Sequence, residues 1–123
     1  MSHIVQIQTQ VRDPAAVAAA CNRLGLPPPV SRRVQLFSEA AEGLVVELPG
    51  WTYPVVCETA SGTLKYDNYL GNWGQQRELD AFLQAYAVER AKIEARRNGH
   101  SVAETALSDG SIKLTIQVAG GVA

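Results

Sequence analysis

Side chains that could bind a ligand or take part in catalysis are concentrated between residues 51 and 77, where aromatic, amide, acidic and basic groups are interleaved. The aromatic members of this stretch are Trp51, Tyr53, Tyr66, Tyr69 and Trp73. Asp67 and Arg77 lie among them. Aromatic rings combined with a carboxylate and a guanidinium are typical of small-ligand pockets and of hot spots in protein interfaces. Together these residues form the candidate site for binding a ligand or a partner.

The same stretch also has a purely structural interpretation. Asp and Asn favour turns, and Gly71 and Gly74 allow a positive φ. Trp73 would then fill the gap between a sheet and a helix. The residue pattern leaves both interpretations open and favours the structural one.

The sequence contains none of the common catalytic, metal or nucleotide-binding signatures. It has no CxxC, HExxH, P-loop, GxGxxG or GxSxG motif. His3 is interpreted as a structural histidine at the start of a strand. Cys21 and Cys57 are far apart in sequence and are expected to be reduced and buried. We therefore predict no catalytic residue, no metal site and no cofactor.

Length and charge define the class of protein. A chain of 123 residues corresponds to one domain. The formal net charge of −1 argues against binding to nucleic acid through a basic surface. No apolar run is long enough to span a membrane, and the residues after Met1 do not resemble a secretory signal. We therefore expect a cytoplasmic protein that binds neither nucleic acid nor membrane.

Two helices are delimited by clear end signals. The first begins at Asp13-Pro14, which supplies an N-cap carboxylate and a proline at the first helical position, and it ends before Gly25. The second is predicted from Gln75 or Gln76 to about Asn98. With ~23 residues it would be about 34 Å long, and a typical strand is only about 17–20 Å long. Its far end is expected to meet a second subunit or to project from the domain, and the subunit is favoured.

Alternation of apolar and polar residues predicts the strands. They are expected at residues 5–11, 33–37, 44–48, 55–58, 63–66, 100–107 and 112–118, with residues 119–123 as a flexible tail. This element order predicts a single α+β domain over residues 1–118. Its sheet would be largely antiparallel, with two helices on one face, the second of them long. A ferredoxin-like split βαβ core with an extra hairpin fits the order.

Several short segments carry a resemblance to a known family. They are Met1-Ser2-His3, residues 8–13, Trp73-Gly74, Tyr86-Ala87, residues 95–99 and residues 109–112. In these segments the chain resembles the hypothetical chloroplast reading frame thirty-five family of plastids, cyanobacteria, other bacteria and phages, a domain of unknown function. Members carry a doubled tryptophan where this chain has Asn72-Trp73. The resemblance implies a small soluble protein and no particular activity.

Two functions are compatible with these observations. The favoured one is a non-enzymatic binding or accessory protein, either a homo-oligomer (a dimer) or bound to a protein partner, acting through the aromatic loop and the long helix. The alternative is a small ligand-binding protein or enzyme of the dimeric ferredoxin-like type, with a pocket between sheet and helices. There Asp67 would act as the base and Arg77 as an anion clamp, alongside Tyr66, Tyr69 and Tyr86.

Overall fold

The computed structural model describes residues 4–118 of the chain. Its elements are β1 (Val5–Gln8), α1 (Pro14–Arg23), β2 (Val30–Gln35), β3 (Ala40–Val46), β4 (Val55–Glu58), β5 (Thr63–Tyr66), a 3-10 turn (Tyr69–Gly71), α2 (Gln76–Arg97), β6 (Ser101–Ala106) and β7 (Ile112–Gln117). The predicted α+β class is confirmed. His3 and the predicted tail at 119–123 lie outside the described residues.

Strands β1 to β5 form one sheet in the order β1-β5-β4-β3-β2, and every neighbouring pair is antiparallel. β1 and β2 are therefore its two edges. β6 and β7 pair with each other in a separate two-stranded sheet. The prediction of a largely antiparallel sheet is confirmed.

The ferredoxin-like split βαβ core is not formed, and this part of the prediction was wrong. Such a core contains parallel strands connected through a helix, whereas the final hairpin here stays outside the main sheet. Only residues 98–100 separate α2 from β6. The hairpin folds back along α2, and the Gln84 side-chain amide donates a hydrogen bond to the Gly110 carbonyl at 3.0 Å. The short connection therefore keeps the last strands beside the helix.

The first hairpin of the sheet has a shorter loop than predicted. β2 and β3 each begin a few residues before their expected positions, so that residues 36–39 form the loop. The Leu36 N–H donates to the Glu39 carbonyl at 2.8 Å and closes it. Leu36 is also buried, with 1% of its surface exposed. β2 ends at Gln35, and Phe37 is left half exposed in the loop.

Both helices pack on one face of the main sheet, as predicted. The core between the layers is apolar, and its fully buried members are Ala16, Val17, Ala20, Cys21, Val46, Val55, Cys57, Leu64, Leu79 and Phe82. Alanines on α1 leave room for it to pack closely against α2. At the start of α1 the Asp13 carboxylate accepts a hydrogen bond from the Ala15 N–H at 3.0 Å, so the predicted N-cap is present.

The hydroxyl of Tyr86 connects α2 to the segment between β1 and α1. It accepts hydrogen bonds from the Arg12 and Asp13 N–H groups, both at 3.0 Å. It also donates to the Gln10 carbonyl at 3.2 Å. Three backbone groups that would otherwise lack a partner next to the core are satisfied by one side chain.

The second half of α2 is covered by the final hairpin of the same chain. Glu104 on β6 accepts hydrogen bonds from Arg23 at the end of α1 and from Lys92 on α2, both at 2.6 Å. Arg23 also pairs with Glu89 at 3.0 Å. The length of α2 favoured a second subunit over a projecting end, and the residue pattern did not indicate that the hairpin folds back along the helix.

The cluster around Glu104 should make stability depend on acid pH. Hydrogen bonds from Arg23 and Lys92 lower the pKa of Glu104 from 4.5 to about 2. A folded-state pKa below the unfolded one means that the stabilisation is present above the unfolded pKa and is lost as the pH falls through the folded pKa. We expect Glu104→Gln to lower the melting temperature by a few degrees at neutral pH, with the difference shrinking at pH 2. Circular dichroism melts of both proteins measure it.

The control for this prediction is Glu47→Gln, which removes a carboxylate that makes no ion pair among the described residues. It should leave the melting temperature nearly unchanged at both pH values. A constant difference between wild type and Glu104→Gln from neutral pH to pH 2 would contradict the assignment.

Candidate functional site

The predicted aromatic residues separate into two groups. Trp51 and Tyr66 form an edge-to-face pair with ring centroids 5.6 Å apart. Tyr53 and Tyr69 instead surround Trp73, with centroid distances of 5.6 and 4.7 Å. Edge-to-face contacts, as in the Trp51–Tyr66 and Tyr53–Trp73 pairs, are among the favoured arrangements of aromatic rings.

Trp51 holds the loop to the start of α2. Its indole N–H donates to the Gln75 carbonyl at 3.1 Å. Its ring lies against Gly74, where any Cβ would collide with it. Its ring partner Tyr66 is buried, and burial raises the pKa of that phenol. Trp51 and Tyr66 therefore pack together at the base of the loop.

Asn68 organises the loop backbone. Its carbonyl accepts hydrogen bonds from the N–H groups of Gly71 and Trp73, both at 2.9 Å. Its side-chain amide donates to the Gly74 carbonyl at 3.3 Å. The side chain of Asn68 is buried. The loop from 68 to 74 is thus closed by hydrogen bonds that converge on one residue.

Asp67 is fully buried at the base of this loop. One carboxylate oxygen accepts a hydrogen bond from the Tyr69 N–H at 3.2 Å. The other oxygen has no hydrogen-bond partner among residues 4–118. Arg77, at the start of α2, has a side chain that is 79% exposed and lies 3.8 Å from Glu78. The structure therefore does not place Asp67 and Arg77 together at an open surface.

Two consecutive residues of the loop have left-handed backbone conformations. Tyr69 has φ 45° and Leu70 has φ 52°. Neither is glycine or asparagine, and this conformation costs an ordinary residue about 1–2 kcal/mol. Leu70 gains no packing in return, because 95% of it is exposed. Strain of this kind is commonly found at functional sites.

Phe37 joins the exposed end of the loop. Its ring centroid is 5.0 Å from that of Trp73, and half of its surface is exposed. We call the surface formed by the following residues the aromatic tip: Phe37, Tyr53, Tyr69, Leu70 and Trp73. Phe37 and Leu70 were not among the predicted site residues. Phe37 is distant from the loop in sequence, and the left-handed conformation of Leu70 cannot be inferred from its residue type.

A groove lies elsewhere, between residues 8–12 and one side of α2. Its volume is about 730 Å³. The helix contributes Leu83, Tyr86, Ala87 and Ala91 to the lining. Arg90 at its rim is already paired, with Glu94 at 2.8 Å and Asp13 at 3.6 Å. Of the residues proposed for a pocket between sheet and helices, Tyr86 lines this groove, whereas Tyr66, Asp67, Tyr69 and Arg77 do not.

Both cysteines are buried and unbonded, as the sequence predicted. Burial raises the pKa of Cys57 to about 12, and the nearby Cys21 adds to the effect. A thiol protonated at neutral pH is a poor nucleophile and a poor metal ligand. The part of the chain that the structure describes also contains no group of three or more His, Cys, Asp and Glu side chains suited to a metal ion.

No family model, curated protein or solved structure matches this chain. Within residues 4–118, no helix has the length and apolar character needed to cross a membrane.

The strain at Leu70 predicts that a substitution will stabilise the protein. Asparagine tolerates the left-handed conformation better than leucine does. Because Leu70 is almost fully exposed, replacing it removes no packing. We expect Leu70→Asn to raise the free energy of unfolding by about 1 kcal/mol, as measured by urea denaturation.

A matched control is Leu107→Asn, because Leu107 is also exposed and does not have a positive φ. It should not raise the free energy of unfolding, because Leu107 has no left-handed conformation to relieve. A Leu70→Asn protein that is no more stable than wild type would show that Leu70 is not strained.

Proposed function

We propose that this protein is a non-enzymatic binding module whose aromatic tip inserts into an apolar pocket of a partner protein. The observation that supports it best is Leu70, which adopts a costly backbone conformation and leaves 95% of its surface in solvent. The turn gains backbone hydrogen bonds at Asn68, but a leucine side chain at position 70 adds no packing to the fold. A selected function that uses the leucine explains why the cost is retained.

The shape of the tip supports a protein partner with a concave site. A residue as exposed as Leu70 projects from the surface and does not line a cavity. Around it, Phe37 and Tyr69 keep 50% and 37% of their surfaces exposed. Hot spots of protein interfaces are enriched in rigid aromatic residues and are surrounded by contacts that exclude water. In this proposal Leu70 and its aromatic neighbours form such a hot spot.

The hydrogen bonds of the loop support a preorganised tip. Asn68, Trp51 and Gly74 fix the backbone on both sides of the exposed residues. A surface that is already ordered loses less conformational entropy on binding. The proposal therefore predicts that the tip changes little when the partner binds.

The ligand-binding or enzymatic alternative has weaker support. Its proposed base, Asp67, is fully buried, and its proposed anion clamp, Arg77, is mostly exposed and lies beside Glu78. Membership of the chloroplast reading frame family remains a proposal that rests on the sequence resemblance alone. A cytoplasmic location likewise remains a proposal.

Site-specific photocrosslinking tests the proposed function. A photoreactive phenylalanine analogue replaces Leu70 in one protein and Leu107 in another, both expressed in the cells of origin. We expect the analogue at position 70 to crosslink to one discrete protein. The analogue at position 107 should not crosslink to that protein. Mass spectrometry then identifies the partner, and its affinity for purified wild type, Leu70→Asn and Leu107→Asn is measured.

Leu70→Asn should weaken binding by about 30-fold or more, the loss of a hot-spot residue, while Leu107→Asn binds like wild type. Because Leu70→Asn is expected to be the more stable protein, loss of binding cannot be attributed to unfolding. Equal affinity of the two variants would overturn the proposal. Co-sedimentation with phospholipid vesicles that requires Leu70 would replace the protein partner with a membrane surface.

A further inference from the structure

Among residues 4–118, no strand pairs with the outer side of β1. β1 pairs with β5 and with no other described strand, and just beyond it the Thr9 N–H donates to the Gly62 carbonyl at 2.8 Å. In an antiparallel pair, successive residues alternate between pointing their N–H and C=O groups toward the partner strand and away from it. Because the Thr9 N–H points toward β5, the backbone N–H and C=O groups of the other odd-numbered residues of β1 also point toward β5. Gln6 and Gln8 therefore present their backbone groups at the open edge.

The two edges of the sheet differ in how they are protected. β2 follows three consecutive prolines and carries Arg32 and Arg33. Proline and charge on an edge strand discourage pairing with another chain. Residues 4–11 contain neither a proline nor a charged residue. β1 is consequently the edge on which a further strand can form without an electrostatic penalty.

An apolar surface of α2 adjoins this edge. Leu83, Ala87 and Ala91 line the groove of about 730 Å³ beside residues 8–12. The Tyr86 hydroxyl already bonds the Gln10 carbonyl, so the open edge ends there. A strand added to β1 would thus pair with Gln6 and Gln8 and direct side chains toward the wall formed by α2.

We infer that the open edge of β1 pairs with β1 of a second copy of this chain, antiparallel and around a two-fold axis. The axis passes at Ile7. Gln6 of each copy then lies opposite Gln8 of the other, and each such pair exchanges both N–H···O=C bonds. Ile7 meets Ile7 of the second copy in a close, non-hydrogen-bonded pair. This inference does not depend on the aromatic tip.

A second copy fits this edge better than an unrelated strand does, because the residues are symmetric about Ile7. An interface around a two-fold axis uses the same patch on both subunits. The sequence Gln6-Ile7-Gln8 places like residues opposite each other with no charge repulsion. A two-fold axis at the centre of β2 would instead place Arg32 of each copy opposite Arg33 of the other.

The groove supplies the area that strand pairing alone lacks. A stable interface buries about 1,000 Å² or more, which a four-residue strand cannot provide by itself. In the proposed register Val5 of one copy lies opposite Thr9 of the other, on the sheet face that α2 covers. Its side chain then approaches the groove lined by Leu83 and Ala87. Strand pairing and groove filling are parts of one interface.

Sedimentation equilibrium over a concentration series tests the inference with a matched pair of prolines. Gln6→Pro removes an N–H that points to the open edge, where no strand of residues 4–118 pairs with it. Arg33→Pro does the same at the β2 edge, where Leu36 sets the alternation so that Arg33 faces outward. Wild type should sediment at twice 13.2 kDa. Gln6→Pro should raise the dissociation constant by about 30-fold, and Arg33→Pro should not change it.

A second pair of variants tests the groove. Ala87→Arg places a long charged side chain in it, whereas Ala18→Arg makes the same change at an exposed alanine of α1. We expect the first to dissociate the dimer and the second to leave it intact, with both folded by circular dichroism. If Gln6→Pro does not fold, the Ala87→Arg and Ala18→Arg pair decides. A wild type that stays monomeric at millimolar concentration, or a dimer insensitive to both Gln6→Pro and Ala87→Arg, would overturn the inference.

Discussion

The aromatic tip depends on one carbonyl group. The backbone carbonyl oxygen of Asn68 accepts hydrogen bonds from the N–H groups of both Gly71 and Trp73. To bring these two donors to the same acceptor, the chain turns sharply through Tyr69 and Leu70, which take left-handed conformations. The turn buries Asn68, supports Trp73 among the other rings and leaves Leu70 in solvent. Local hydrogen bonding thus places the most exposed leucine next to the densest aromatic cluster.

Much of the architecture could be predicted from the sequence because the signals are local. Asp13 with Pro14 marks the start of a helix through capping and a fixed φ. Apolar alternation marks strands such as β5 and β7. Short turns between consecutive strands restrict them to antiparallel pairing. The contacts of the final hairpin with both helices were not predictable in this way, since Glu104 and Arg23 are far apart in sequence.

The candidate site was predictable in composition and not in arrangement. The sequence identified the aromatic stretch, yet it could not separate Trp51 and Tyr66, which pack at the base of the loop, from Tyr69 and Trp73 at the tip. Phe37 reaches the tip only because the sheet brings the β2–β3 loop beside it. The open edge of β1 was likewise invisible, because strand order decides which strands are edges.

The central claim is that the free protein already holds Leu70 in its strained, exposed conformation. Nuclear magnetic resonance tests this directly, because a positive φ brings the amide proton of a residue close to its own α-proton. The account predicts strong intraresidue amide-to-α-proton Overhauser effects at both Tyr69 and Leu70 in the absence of any partner. Intensities equal to those of residues in extended or coil conformations would contradict it.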